Sequence, residues 1–205
     1  MSPAATRGDQ RRAALLEALD HHLRDAGPDA RLDDINVADL SRRAGVTRSA
    51  FYFYFDNKAD AVAALMDEME DDAWDAAGLS GDDGAMRDRI GSAVRSVVEG
   101  WQRRTHVHRA MLEARATSAS VRERWEQRIA SFVDVVTALV ESERATGNAP
   151  PGPPARALAT ALLDLNDRTL ERLVRAERPD EQTEAHIEAV VHLWTTAIYG
   201  GTTAP

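Results

Sequence analysis

Cysteine is absent from the 205 residues. No disulfide framework, thiolate metal site or cysteine nucleophile can therefore form. No stretch approaches the roughly 18 uninterrupted apolar residues that a membrane span needs, and the first residues carry no apolar leader-like run; no membrane partner is expected, and the location is expected to be cytoplasmic. Strand signals are almost missing: apolar residues recur at spacings of three and four, and no second alternating run exists for a first to pair with. The glycine patterns of a nucleophile elbow or a phosphate loop do not occur. Six histidines are present, but His21 and His22 are adjacent, His106 and His108 two apart, and His186 and His192 six apart, so no pair has the i, i+4 spacing that sets two ligands on one helix face. Neither catalysis, a metal nor a cofactor is expected.

What is present points to a globular helical chain. Apolar residues make up 43% of it, enough for a sizeable core. The formal charge of −9 argues at first sight against a polyanionic partner, yet residues 1–60 carry 9 Lys/Arg against 10 Asp/Glu, which leaves −8 for residues 61–205. Arg42, Arg43, Arg48 and Lys58, the single lysine, gather in one short region. Beyond a Debye length of about 8 Å the other charges are largely screened, so a local basic face can hold phosphate.

The spacing predicts an all-α fold of about nine helices. The first runs from about Asp9 to Ala26 with Leu15, Leu19 and Leu23 inward, and Gly27-Pro28 stops it. Asn36 caps a short helix carrying Val37, Leu40 and Ala44, and Asp39 stands where its carboxylate can reach back to the cap. Gly45 makes a turn, and Thr47 caps the next helix. A fourth helix, Lys58 to Ala77, has Val62, Leu65, Met66, Met69 and Ala73 inward, and the Gly78–Gly84 stretch breaks it. Ile90 to Trp101, His106 to Ala114 and Val121 to Val140 mark the fifth to seventh, and Gly147 ends the last of these. The proline-rich 150–154 connector leads to an eighth, Ala155 to Arg175, whose last proline suits a first helical turn. That helix has two apolar faces, Leu158-Leu162-Leu165-Thr169 and Leu163-Leu170-Val174. A ninth carries Ile187, Val190, Val191, Trp194 and Ile198. Two apolar faces need two neighbours, which suggests a homodimer packed through the last two helices.

Of four Phe, three Tyr and four Trp, five stand consecutively at 51–55. Taken alone, Phe-Tyr-Phe-Tyr-Phe has strand propensity. A lone strand would leave its backbone groups unpaired, so the flanking helix signals decide. On a helix, Arg48, Ser49, Tyr52 and Phe53 share an outward arc while Ala50 and Phe51 turn inward. Such an arc suits the major groove of double-stranded DNA, with Arg48 able to take two acceptors on a guanine and Ser49 beside it. Tyr52, Tyr54 and Lys58 suit phosphates. A second candidate site lies further on: Trp101, Trp125 and Trp194 fall on inward stripes of three helices, Phe132 follows Trp125 along its stripe, and Asn166 sits among leucines. With Val97, Ile129 and Leu163 these form the candidate pocket for a small apolar or elongated ligand.

The run Val37-Ala-Asp-Leu-Ser-Arg-Arg-Ala-Gly-Val-Thr-Arg-Ser-Ala-Phe-Tyr-Phe-Tyr-Phe-Asp-Asn-Lys58 resembles the helix-turn-helix of the TetR family of bacterial transcription regulators. Ala114–Ser118, Ala159–Leu162, Asn166–Leu170 and His192–Gly200 extend the likeness toward its EthR-like branch. The resemblance implies a helix-turn-helix DNA-binding domain over residues 1–57, a ligand-binding and dimerisation domain over 58–205, and DNA contacts by Thr47, Tyr52, Tyr54 and Lys58. It further implies a long aromatic ligand tunnel with an asparagine for hydrogen bonding, and a dimeric regulator, most simply a repressor, released from its operator by ligand. Two departures bear on specificity: Ala50 stands where relatives often have Thr, and Leu163 where they can have a second Asn. The reading from another class is a helical small-molecule binding protein without DNA-binding activity.

Overall fold

The computed structural model describes residues 6–27, 31–76, 86–175 and 181–200, the side chains of 69–76, 87 and 181–183 excepted. Pro28, Met69, Ala73, Ala77 and the Gly78–Gly84 break lie outside this description. Helix α1 (Arg7–Ala26) begins earlier than its apolar stripe indicates, because Thr6 and Asp9 form a capping box: the Thr6 hydroxyl accepts the Asp9 N–H, and the Asp9 carboxylate accepts the Thr6 N–H. A 3₁₀ turn (Leu32–Asp34) precedes α2 (Val37–Arg43), which is followed by α3 (Arg48–Tyr54), α4 (Lys58–Ala76) and α5 (Met86–Arg103). Then come α6 (Thr105–Thr117), α7 (Ala119–Ala145), α8 (Ala155–Arg175) and α9 (Glu181–Tyr199). Among the described residues there are nine α-helices and no strand, and the aromatic run is helical as the flanking signals indicate. Asn36 accepts the N–H groups of Ala38 and Asp39, as a cap should. Asp39, however, does not close a box with it; its carboxylate takes the Arg42 guanidinium at 2.6 Å, a nearby charge winning over the neutral cap. Pro154 precedes the first turn of α8 rather than lying within it, and its carbonyl accepts the Leu158 N–H at 3.0 Å.

Packing divides the chain into two compact units, Met1–Asp71 with Arg104–Glu123, and Asp72–Arg103 with Arg124–Pro205. In the first, α1 packs on α2, α3 and α6, and α2 on α3. Leu15, Leu16, Leu19, Leu23, Leu40 and Phe51 are each 0–1% exposed and fill its centre. Burying a side chain of this size stabilises by about 1.5–3 kcal/mol. The 3₁₀ turn is tied to α6: the Leu32 N–H donates to Glu113 Oε2 at 2.9 Å, and Arg31 lies 3.7 Å from the same carboxylate. His106 Nε2 stands 2.8 Å from Asp20 Oδ1, joining α6 to α1. His108, 2% exposed, is the buried polar residue of α6. Burial first, and then the neighbouring His106 and Arg104, push its pKa down to about 3, so its ring is neutral at pH 7.

The second unit has its own core. Ile90 and Val94 of α5, Val133, Val136 and Val140 of α7, Ala159 and Leu162 of α8, and Val190, Trp194 and Ile198 of α9 form one buried cluster. Helix α5 lies close on α9 because Gly91 carries no side chain; a Cβ there would stand 3.3 Å from Val191 Cγ1. The second apolar face of α8 is taken up within the chain, since Leu170 and Val174 are buried at 6% and 2% exposure. The need for a second copy therefore does not follow from that face. Beside charged residues such as Arg156, Asp164, Arg168, Glu184 and Glu188, α8 and α9 leave exposed the small residues Ala157, Ala161, Ala185, Ala189 and Ala197, with Leu193 among them.

Candidate functional site

The turn before α3 explains how its first residues come to project. Helix α2 closes with the Val46 N–H donating to Ser41 O at 2.9 Å and the Gly45 N–H to Arg42 O at 3.2 Å. This is the paired Schellman arrangement, and it needs a left-handed residue, supplied by Gly45 at φ +66°. Thr47 then turns the chain, its hydroxyl accepting the Ala50 N–H at 3.3 Å. The Ser49 hydroxyl lies 2.9 Å from the Thr47 hydroxyl.

Phe51, 1% exposed, anchors the inner side of α3, and Phe55, 4% exposed, packs against it with the rings tilted and their centroids 5.3 Å apart. The outer side carries Arg48, Ser49, Tyr52 and Phe53, all exposed, the last at 82%. The Arg48 guanidinium lies 5.9 Å over the Tyr52 ring one turn away, a cation–π contact that restrains a long side chain. Tyr54 is half-buried, with its hydroxyl 3.7 Å from where a Cβ on Gly8 would lie. Lys58 opens α4, but its ammonium donates to the Asp33 carbonyl at 2.9 Å and so holds the 3₁₀ turn. Beside it Asn57 and Asp60 form a reciprocal cap, the Asp60 N–H donating to Asn57 Oδ1 at 2.9 Å and Asn57 Nδ2 to Asp60 Oδ2 at 2.7 Å. Arg43 lies 3.6 Å from Asp25. The basic residues of this face thus already have carboxylate or carbonyl partners, except that Arg48 rests on a ring.

In the second unit the eight residues of the candidate pocket separate. Val97 and Asn166 line one small cavity together with Val94, Val98, Thr169, Leu170, Ile187 and Val190. Its volume, about 10 Å³, is the space that about one water molecule needs. Trp101 and Trp125 meet edge to face instead, with centroids 6.2 Å apart. Trp194 sits in the core cluster, against which Ile129 and Leu163 pack. Its indole N–H donates to Asn166 Oδ1 at 2.9 Å, which links the core to the cavity wall. Phe132 is half-buried. The cavity wall is therefore aliphatic, with one amide and one hydroxyl, where the resemblance implies aromatics. The six further lining residues could have been found from the apolar stripes of α5, α8 and α9 taken together; each stripe is visible, but which stripes meet is not. Among the described residues no group of three or more His, Asp or Glu could hold a metal, and no helix is long and apolar enough to cross a membrane.

Residues 32–65 match the family model described as bacterial regulatory proteins of the tetR family, and residues 90–200 the one described as the C-terminal domain of the transcriptional regulator EthR. The HTH-type transcriptional regulator EthR of Mycobacterium tuberculosis is 34% identical over 196 residues, covering 94% of this chain and 89% of that one. The chain belongs to the TetR family. Within it the likeness is to EthR, and the EthR of Mycolicibacterium smegmatis is 30% identical over 200 residues, covering 94% of this chain and 88% of that one. This TetR-family member is accordingly a helix-turn-helix transcriptional regulator and not an enzyme. Its fold is shared with the transcriptional regulator FadR of Bacillus subtilis, solved in complex with stearoyl-CoA, at a TM-score of 0.72 and 15% identity, covering 91% of this chain and 99% of that one.

Proposed function

We propose that this regulator is a cytoplasmic repressor that binds a two-fold symmetric operator as a homodimer and leaves it when an elongated apolar molecule enters the second unit. Residues 1–57 bind DNA, and 58–205 hold the ligand and the dimer contact. The observation that carries the reading is the outward arc of α3, where Arg48, Ser49, Tyr52 and Phe53 stand exposed on a helix pinned by Phe51. Laid in a major groove, Arg48 and Ser49 at the N-terminal end face base edges. Thr47, Tyr52, Tyr54 and Lys58 engage the backbone, Lys58 exchanging the Asp33 carbonyl for a phosphate. The small exposed residues of α8 and α9 with Leu193, 48% exposed, support close packing against the same helices of a second copy.

The aliphatic wall with Asn166 and Thr169 supports an apolar ligand with one polar end. An acyl chain, as in the stearoyl-CoA bound to FadR, has that form. At about 10 Å³ the cavity admits such a molecule only by opening, which separates Val97 from Asn166. Ligand that binds the opened arrangement more tightly weakens operator binding, and operator weakens ligand by the same factor. Helix α4, whose residues belong to both units, is the lever that changes the spacing of the two α3 helices.

Selection of bound fragments from random duplex DNA tests the reading. The expected product is a two-fold consensus with half-sites about 34 to 36 Å apart, or a multiple of that. No enrichment over random sequence would leave a helical small-molecule binding protein instead. Equal ligand affinity with and without operator would remove the repressor mechanism alone.

A further inference from the structure

We propose that Phe53 reads the C5-methyl group of a thymine in the operator, making it a specificity-determining residue; this rests on α3 being the DNA-reading helix. The three phenylalanines of α3 and its C-cap lie in very different surroundings. Phe51 and Phe55 are buried at 1% and 4% exposure, while Phe53 is exposed at 82%, more than any other large apolar side chain described. Its ring meets Tyr54 edge-on at 5.1 Å, a contact along the helix that leaves the outer face open. By helical geometry it lies one turn beyond Ser49 on the same side, next to the arc of Arg48 and Tyr52.

Chemistry narrows what such a side chain can do there. A phenyl ring has no donor or acceptor, so it can neither hold a phosphate oxygen nor pair with a polar base edge. Its chain neighbours Tyr52 and Tyr54 do carry a hydroxyl, so the three consecutive rings differ at this position by just the atom that a phosphate contact would use. Among the groups displayed in the major groove, the thymine methyl is the apolar one, and it alone gains from an apolar partner. The contact excludes water from both surfaces and requires no hydrogen bond to be replaced.

The consensus selected from random duplexes by the wild type is compared with those selected by Phe53→Ala and Phe53→Leu. Each conserved thymine is then replaced by deoxyuridine, which removes the methyl group and nothing else. The wild type is expected to lose about fourfold in affinity at one thymine per half-site, the factor for one methyl-sized group buried at about 0.8 kcal/mol. Phe53→Ala is expected to bind the thymine and deoxyuridine duplexes alike and to select that position at random, while Phe53→Leu keeps part of the preference. Because Phe53 is exposed, thermal unfolding of both variants should match the wild type. The inference is overturned if deoxyuridine is silent at every position, or if it weakens wild type and Phe53→Ala equally, which would give the methyl to another residue; in both cases a consensus still stands and so does the DNA-reading role. Absence of any sequence-selective binding overturns both together.

Discussion

On α3 the side chains offered to a partner, Arg48, Ser49, Tyr52 and Phe53, stand within six consecutive residues and point away from the core. In the second unit the candidate ligand residues come from α5, α7, α8 and α9 and have closed on one another, Trp101 on Trp125 and Trp194 on Asn166. The first arrangement is a rigid surface ready for its partner, and binding there needs little rearrangement. The second is an interior packed on itself, so anything entering must replace contacts already made there. A regulator needs this asymmetry: a reader that is always formed, and a sensor whose occupied and unoccupied forms differ enough to shift an equilibrium.

The comparison breaks most visibly if the surface of α3 turns out to be structural. Phe51→Ala, on its buried side, should cost about 3–5 kcal/mol of stability in denaturant unfolding. Arg48→Ala, on its outer side, should leave stability within about 0.5 kcal/mol while weakening specific DNA binding by about 1–3 kcal/mol and relaxing one base position, as a footprint series would record. Asn166→Leu should destabilise by about 1–3 kcal/mol, because the largely buried Trp194 indole N–H loses its acceptor. A gain in stability instead would mean that the second unit already prefers an apolar wall.

A fourth expectation concerns pH. His108 takes up its proton near pH 3 when folded and near 6.5 when unfolded. Below pH 6.5 the unfolded chain therefore binds the extra proton, so stability falls as the pH drops from 6.5 toward about 3 and is unaffected by this group above 6.5. Urea titrations of His108→Leu between pH 6.5 and 4.5 should show that slope reduced, and an unchanged slope would place the acid sensitivity elsewhere. The smallest effect is at the cap: Thr47→Ala should cost about 1 kcal/mol through the lost Ala50 N–H acceptor.

The same contrast governs what could be learned from sequence. The reading helix was legible because its determinants are local: Asn36 and Thr47 cap, Gly45 turns, and the arc of α3 follows from 3.6 residues per turn. The Thr6 box that lengthens α1 is local too, and its Thr-x-x-Asp spacing was there to be read. The cavity was half legible. Val97 and Asn166, placed from stripes on single helices, line it, whereas Trp101 and Trp125, placed the same way, meet each other edge to face. Which stripes face each other depends on helix crossing, and no spacing within one helix carries that. Distant electrostatic partners were hidden for a similar reason: Arg43 finds Asp25, Leu32 finds Glu113, and Lys58 finds a backbone carbonyl.

Those partners alter what the basic face can do. With Arg42 held by Asp39, Arg43 near Asp25 and Lys58 on the Asp33 carbonyl, these cations displace the counterions condensed on a random duplex only by giving up partners they already hold. Non-specific affinity scales with that displacement, so it should be low and its salt slope shallow for so arginine-rich a chain. A protein that holds random DNA loosely stays on few wrong sites, and in a genome crowded with competitors the occupancy of its operator is governed by that ratio and not by the strength of its grip.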